Sequence, residues 1–298
     1  MYSAKSLAPI LRPQKGVVFD IGASKTLKID LNVGLTYLNT EIQFTIAGAA
    51  PSRAQMISML PNIRIELDGE PRLNMPMTEY IDMVEYYRGT VVGATGFLPL
   101  LQQMLWNEDP TPGGSPLAAK VNPAWGTKNH GSLVIYIDQD ATSTIDAVEV
   151  HTDLQPQAQD LGLHFRMVRL TPTFASVGVM DYQIPFLEPG GFLYGIHVKP
   201  PDLANLKYAR LFADNAPIAE GTPTQLHRRL LQAAYGRRTI QTGWLHLERC
   251  WRNFDQDSLP WAILDEKLVL QLEFVTTAPD TFPLHLHVAS PDTRPPSA

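Results

Sequence analysis

Residues 63–89 read IRIELDGEPRLNMPMTEYIDMVEYYRG, and residues 209–236 read ARLFADNAPIAEGTPTQLHRRLLQAAYG. The two stretches share one plan. Alternating side chains (Ile63, Ile65, Leu67; Ala209, Leu211, Ala213) predict a short strand, which runs into a residue pair that tolerates positive φ, Asp68-Gly69 or Asp214-Asn215. A proline follows three residues after each aspartate, Pro71 and Pro217, then a polar spacer, then one amphipathic helix of about three turns that stops at Gly89 or Gly236. Arg64, Asp68, Pro71 and Thr78 recur as Arg210, Asp214, Pro217 and Thr224 at a constant offset of 146 residues. An order repeated in this way is an internal duplication, and it sets the domain organisation before any local motif does.

Working outward from these stretches, further strands match in sequence. Leu27, Ile29, Leu31 and Val33 alternate with Lys28, Asp30 and Asn32, and Met180, Tyr182 and Ile184 stand where Ile29, Leu31 and Val33 stood. Phe192, Tyr194 and Ile196 match Ile42, Phe44 and Ile46; Gly243, Leu245 and Leu247 match Gly96, Leu98 and Leu100. Leu268-Val269 echoes Leu133-Val134, and His287 echoes His151. Strict period-two alternation predicts antiparallel sheets with one buried face. The helix over 77–88 presents Met77, Tyr80, Ile81, Val84 and Tyr87 as one stripe to a sheet, with Glu79, Asp82 and Glu85 on its other face. The second helix is punctuated by Thr222 as N-cap, Pro223 at the first helical position and Gln225 completing a capping box. Asn107 to Gly131 is rich in proline and glycine without periodicity, which predicts a projecting loop; Gln155 to Asp160 reads as a linker. The expectation is an all-β chain of two tandem antiparallel eight-stranded jelly rolls, each with one helix inserted after a strand. Residues 1–16 form an N-terminal arm, 17–155 the first jelly roll and 156–298 the second.

Two related jelly rolls in tandem, each carrying a helix after the strand that ends in the Asp turn, resemble the double jelly-roll major capsid proteins of tailless, internal-membrane-containing icosahedral bacteriophages and adenovirus-like viruses. The resemblance covers nearly the whole chain and rests on architecture and repeat. It implies a homotrimer whose six jelly rolls form a pseudo-hexagonal tile of the virion capsid, synthesised in the host cytoplasm. The partners it implies are the chain itself, neighbouring trimers, minor vertex or cement proteins, and the internal membrane at the N-terminal arm, where Lys5, Arg12 and Lys15 supply positive charge.

Composition narrows the chemistry. A net charge of −6 argues against a dedicated nucleic-acid binder, and no apolar run approaches the roughly 20 residues of a membrane span. Pro9, Arg12 and Pro13 interrupt any secretory leader, so the chain is expected to stay in the cytosol. Cys250 is the single cysteine, which excludes an intrachain disulfide and a thiolate metal cluster. His285-Leu286-His287 contains the first step of a cupin metal site, but the alternating leucines and valine take the inward face, both histidines point out of the barrel, and the remaining ligands are missing. Gly22–Thr26 and Gly93–Gly96 are incomplete as phosphate or dinucleotide loops. Asp138, Asp140 and Asp146 read as polar turns rather than a calcium site. No catalytic, cofactor or metal residue is therefore assigned. The competing class is a carbohydrate-binding, carbohydrate-active or bicupin-like protein on paired jelly rolls, with Trp106 and Trp125 placed to stack on a sugar.

The charges of the two helices differ in sign. Where the first has Asp82, the second has Arg228 with Arg229 beside it. The expectation is that Asp82 and Glu85 oppose Arg228 and Arg229 across a seam that joins a first jelly roll to a second one in the tile, steering assembly and rejecting like-with-like contacts.

Overall fold

The structure is a computed structural model that describes residues 10–15, 25–88, 97–100, 125–140, 145–155, 163–173, 177–185, 192–233, 238–248, 261–262, 267–275 and 281–291. Lys5, the glycine stretches 22–24 and 93–96, Trp106, the loop over 107–124, the linker 156–160, Gly236 and Cys250 lie outside the described residues.

The first half runs β1 (Ile10–Lys15), β2 (Lys25–Leu31), β3 (Thr36–Thr45), α1 (Arg53–Met59), β4 (Asn62–Leu67), β5 (Glu70–Pro76), α2 (Met77–Arg88), β6 (Phe97–Pro99), β7 (Trp125–Gly126), β8 (Leu133–Gln139) and β9 (Ala147–Gln155). The second runs β10 (Leu163–Leu170), β11 (Gly178–Gln183), β12 (Phe192–Val198), a 3₁₀ turn (Leu203–Asn205), β13 (Leu206–Ala213), β14 (Ala216–Gly221), α3 (Pro223–Ala233), β15 (Leu245–Glu248), β16 (Trp261–Ala262), β17 (Leu268–Phe274) and β18 (Leu284–Pro291). The pairing is the same in both halves. Order β1-β9-β3-β6, with β7 on β3, corresponds to β10-β18-β12-β15, with β16 on β12; order β2-β8-β4-β5 corresponds to β11-β17-β13-β14. All pairs are antiparallel, so each half is an eight-stranded jelly roll with one additional two-residue strand.

Each barrel closes over its own core. Leu27, Ile29, Ile42, Phe44, Ile63, Ile65, Ile135 and Val150 fill the first, and Leu193, Ile196, Leu211, Leu270, Leu272, Leu284 and Leu286 fill the second. The alternation read from sequence holds at these strands. Val33 is an exception: it lies past the end of β2 in a turn and is exposed.

The duplicated turns are built alike. Asp68 and Gly69 take φ of 54° and 79°, and Asp214 and Asn215 take 45° and 69°. Positive φ at both central residues gives the type I′ geometry whose twist matches the flanking strands. Each aspartate also pins the start of the strand beside it. Asp68 accepts from the backbone N–H of Gly131 (2.6 Å) and Ser132 (2.9 Å), just before β8, and Asp214 accepts from that of Lys267 (2.9 Å), just before β17. A short polar side chain that tolerates the left-handed region and reaches a neighbouring loop explains aspartate in both copies.

Four expectations are corrected. The polar spacers after the turns are strands β5 and β14, each with a register shift beside its proline: Glu66 faces Pro71 and Ile65 faces Leu73, so Arg72 is the additional residue. Edge strands accept proline at such bulges because its missing N–H faces no partner. The arm expected over 1–16 is shorter, because Ile10–Lys15, including Arg12 and Lys15, pairs with β9 as the edge strand of the first barrel. The match of β3 to β12 slides by four residues. Ile42 faces Val150 and Ile196 faces Leu286, so, with His151 matched to His287, Ile196 corresponds to Ile42. Finally, the first half carries a second helix, α1, whose Ser52 and Gln55 form a reciprocal capping box.

Candidate functional site

Helix α2 is buried on both of its faces: Glu79 through Tyr87 are all buried, acids included. Its apolar stripe, Met77, Tyr80, Ile81 and Val84, belongs to the first core, where the Tyr80 hydroxyl donates to the Pro99 carbonyl (2.8 Å). The opposite stripe, Glu79, Asp82, Tyr86 and Tyr87, lies on the outer face of the second barrel's β10-β18-β12-β15 sheet. Residues at i, i+3, i+7 and i+8 share one side of a helix, so a single element carries two faces into two barrels. Strand β5 runs beside β10 along the same seam.

The expectation for Asp82 and Glu85 is corrected here. Both are engaged inside their own chain. Asp82 accepts from Lys199 (2.8 Å), Trp244 (2.9 Å) and Arg53 (2.5 Å), and Glu85 accepts from Arg53 (3.0 Å). Arg53 comes from the first turn of α1, which thereby orients both carboxylates; Lys199 and Trp244 come from the second barrel. Arg228 and Arg229, in contrast, are exposed on α3, where Arg229 donates to the Glu220 carbonyl (3.0 Å).

The second barrel's contribution is four histidines. His197 on β12, His246 on β15 and His285 and His287 on β18 point out of their barrel, as alternation required, but are almost wholly inaccessible because α2 covers them. His246, His197, Tyr87 and His287 form one hydrogen-bonded line. His197 Nδ1 meets His246 Nδ1 at 2.8 Å and its Nε2 meets the Tyr87 hydroxyl at 2.8 Å, which also contacts His287 Nδ1. Tyr86 stacks on His246 (3.9 Å between ring centres) and Tyr87 on His287 (4.8 Å).

Two buried ion pairs flank this line. Glu79 receives a bidentate pair from Arg169 (2.7 and 2.9 Å) and a bond from His285 Nε2 (2.8 Å). Glu248 receives a bidentate pair from Arg238 (3.1 and 3.1 Å) and the Tyr86 hydroxyl (2.7 Å), and the Arg238 and Glu248 side chains are 2% and 1% exposed. Partnered in this way, charges can be carried into a low-dielectric seam.

The titration behaviour follows. Burial raises the Glu79 carboxyl, but the bonds from Arg169 and His285 more than offset it and bring the pKa to about 2. Burial likewise opposes ionisation of Glu248, yet the Arg238 charge and hydrogen bonds leave it below the usual carboxylate range. Burial lowers His197 to about 3, partly opposed by Glu248, and drives His246 and His287 well below the ordinary histidine range. His285 is lowered by the same cause against the pull of Glu79. The seam thus holds anchored carboxylates beside neutral imidazoles.

As chemistry, the arrangement is a lock. Its carboxylates are saturated by internal donors, and among the described residues no group of three or more His, Cys, Asp or Glu is arranged to hold a metal ion. Asp138, read from sequence as a turn residue, lies in β8 and accepts from the Thr26 hydroxyl (2.9 Å), and Asp146 accepts from the Gly48 N–H (2.7 Å). Trp125 lies in β7.

No family model matches the chain, and no curated protein sequence matches it. Solved structures do. The major capsid protein of bacteriophage PM2 is 14% identical, with a TM-score of 0.73 over 97% of this chain and 100% of that one. The Faustovirus major capsid protein is 8% identical, with a TM-score of 0.58 over 97% and 91%. The PBCV-1 virus capsid is 9% identical, with a TM-score of 0.56 over 97% and 96%. At these identities the likeness is one of fold: this chain has the double jelly-roll fold of those capsid proteins, along the full length expected from its repeat.

Proposed function

We propose that the chain is a viral major capsid protein whose homotrimers form pseudo-hexagonal tiles of an icosahedral shell. The observation that carries this reading is the seam. Two copies of one barrel are joined by a helix laid on a sheet, and the fold is shared end to end with capsid proteins. A polypeptide of this kind works by geometry. Its barrels bury their own cores, the seam fixes the angle between them, and contacts between copies build the tile. No residue is assigned a catalytic role.

Within a virion, the tile meets neighbouring trimers and minor vertex or cement proteins. Lys5, Arg12 and Lys15 supply positive charge for contact between the N-terminal part of the chain and the anionic surface of an internal membrane. Mass photometry of the purified chain tests the reading. Three copies of a 33.1 kDa chain form a species of about 99 kDa that assembles further at higher concentration. A chain that stays monomeric under every assembly condition refutes it.

A further inference from the structure

The seam has a direction. The first barrel gives a helix, α2, and the second gives a sheet face, β10-β18-β12-β15. Because the barrels are copies, the second also owns a helix, α3, and the first also owns the matching sheet face, β1-β9-β3-β6. Among the described residues, α3 packs mainly on β13, β14 and β15 of its own barrel. A head-to-tail contact with an unused half at each end is a heterologous interface, which continues from molecule to molecule and closes if its rotation allows.

The elements correspond across the two halves. With the offset of 146 residues, the seam residues Glu79, Asp82 and Tyr86 map onto Gln225, Arg228 and Gln232, and Arg229 lies beside Arg228. Gln225, Arg228, Arg229 and Gln232 are exposed, while Leu226 packs in its own barrel's core and Leu230 in the cluster that includes α2 and Trp244. On the receiving face, strand register maps His285 onto Glu149, His287 onto His151 and His197 onto Gln43. Glu149 is exposed, and Glu41, Gln43 and His151 are half-buried, with His151 Nε2 3.2 Å from Gln43 Oε1 and 3.7 Å from Glu149.

We infer that α3 of one chain docks on the outer face of β1-β9-β3-β6 of a second copy, with Arg228 and Arg229 meeting Glu41 and Glu149. This rests on the capsid-tile reading and names the surface that joins the copies. The charges are complementary and inverted relative to the internal seam. There an acidic helix meets Arg169, Lys199 and histidines; here a basic helix meets a sheet that carries Glu41 and Glu149, with Lys15 at the register position of Arg169. The inversion has a consequence for pairing. Seating α2 on the acidic face would oppose Glu79 and Asp82 to Glu41 and Glu149, so each helix accepts only its proper sheet and barrels of the two kinds alternate.

The test is a charge swap read by mass photometry, with circular dichroism to report folding. R228E/R229E and, separately, E41K/E149K are expected to be folded and to lose the trimer at concentrations where the wild type is trimeric. The four substitutions together are expected to restore it. The inference is overturned if either double variant trimerises like the wild type, or if both fail and the quadruple variant does not recover. A wild type that never leaves the monomer instead overturns the capsid reading on which the inference stands.

Discussion

Lowering the pH from 7 to 5 perturbs the seam through its histidines. Burial holds His197 at about 3 in the folded chain, against an ordinary value of 6.5. Between those two values the unfolded state carries a proton that the folded state does not. The stability due to this group is therefore complete above about pH 6.5 and declines as the pH falls toward 3. At about 1.4 kcal/mol per pH unit, His197 alone costs about 2 kcal/mol by pH 5. His246, His287 and His285 are shifted in the same direction and add to the loss. Glu79 titrates in another window: held at about 2 rather than 4.5, it contributes above about pH 4.5 and its share is lost only below that. A decline between pH 7 and 5 is thus assignable to imidazoles. Urea denaturation followed by far-UV circular dichroism measures it, comparing the wild type with His197→Gln, which keeps a donor and an acceptor but does not titrate. The wild type should lose about 2 kcal/mol more than the variant over this range. Equal wild-type stability at the two pH values, or an undiminished pH dependence in the variant, refutes the reasoning.

Other substitutions probe the same architecture. Arg238→Met strands the buried Glu248 carboxylate and should cost about 3–5 kcal/mol, with Arg238→Met/Glu248→Gln less damaged than the single change, as read by denaturant midpoints. Asp68→Ala removes both the tolerance for φ of 54° and the acceptor for Gly131 and Ser132; the expected loss is about 2–3 kcal/mol, larger than for Asp214→Ala, whose aspartate receives a backbone bond from Lys267. Thr222→Ala deletes the cap on α3 and should lower stability by about 1 kcal/mol, with the folded chain retaining its far-UV spectrum.

What sequence could disclose followed the range of the forces involved. The type I′ turns, the bounds of α2, the cap of α3 and the inward alternation of β2, β3 and β8 are short-range matters of backbone sterics and side-chain period, and they were legible. α1 is announced by Ser52 and Gln55, three residues apart, the spacing of a capping box. β5 and β14 were hidden by their prolines and bulges, since Arg72 and Leu73 are buried in succession and break the period of two. The seam was the least legible part. Nothing local separates an acid facing water from one facing Arg169 or Lys199 of a second barrel, and the alternation that correctly turned His285 and His287 out of their barrel could not say what would cover them. The duplication itself, once read, held the missing information: an element used inside the chain implies an unused counterpart on its surface.

Electron microscopy of the assembled protein, at a resolution that separates strands, addresses the central claim most directly. The account predicts six similar barrels around one axis, of two alternating kinds, with every helix of the α2/α3 type seated on the sheet of the next barrel. A particle in which α3 faces solvent, or in which barrels of one kind meet each other, contradicts it.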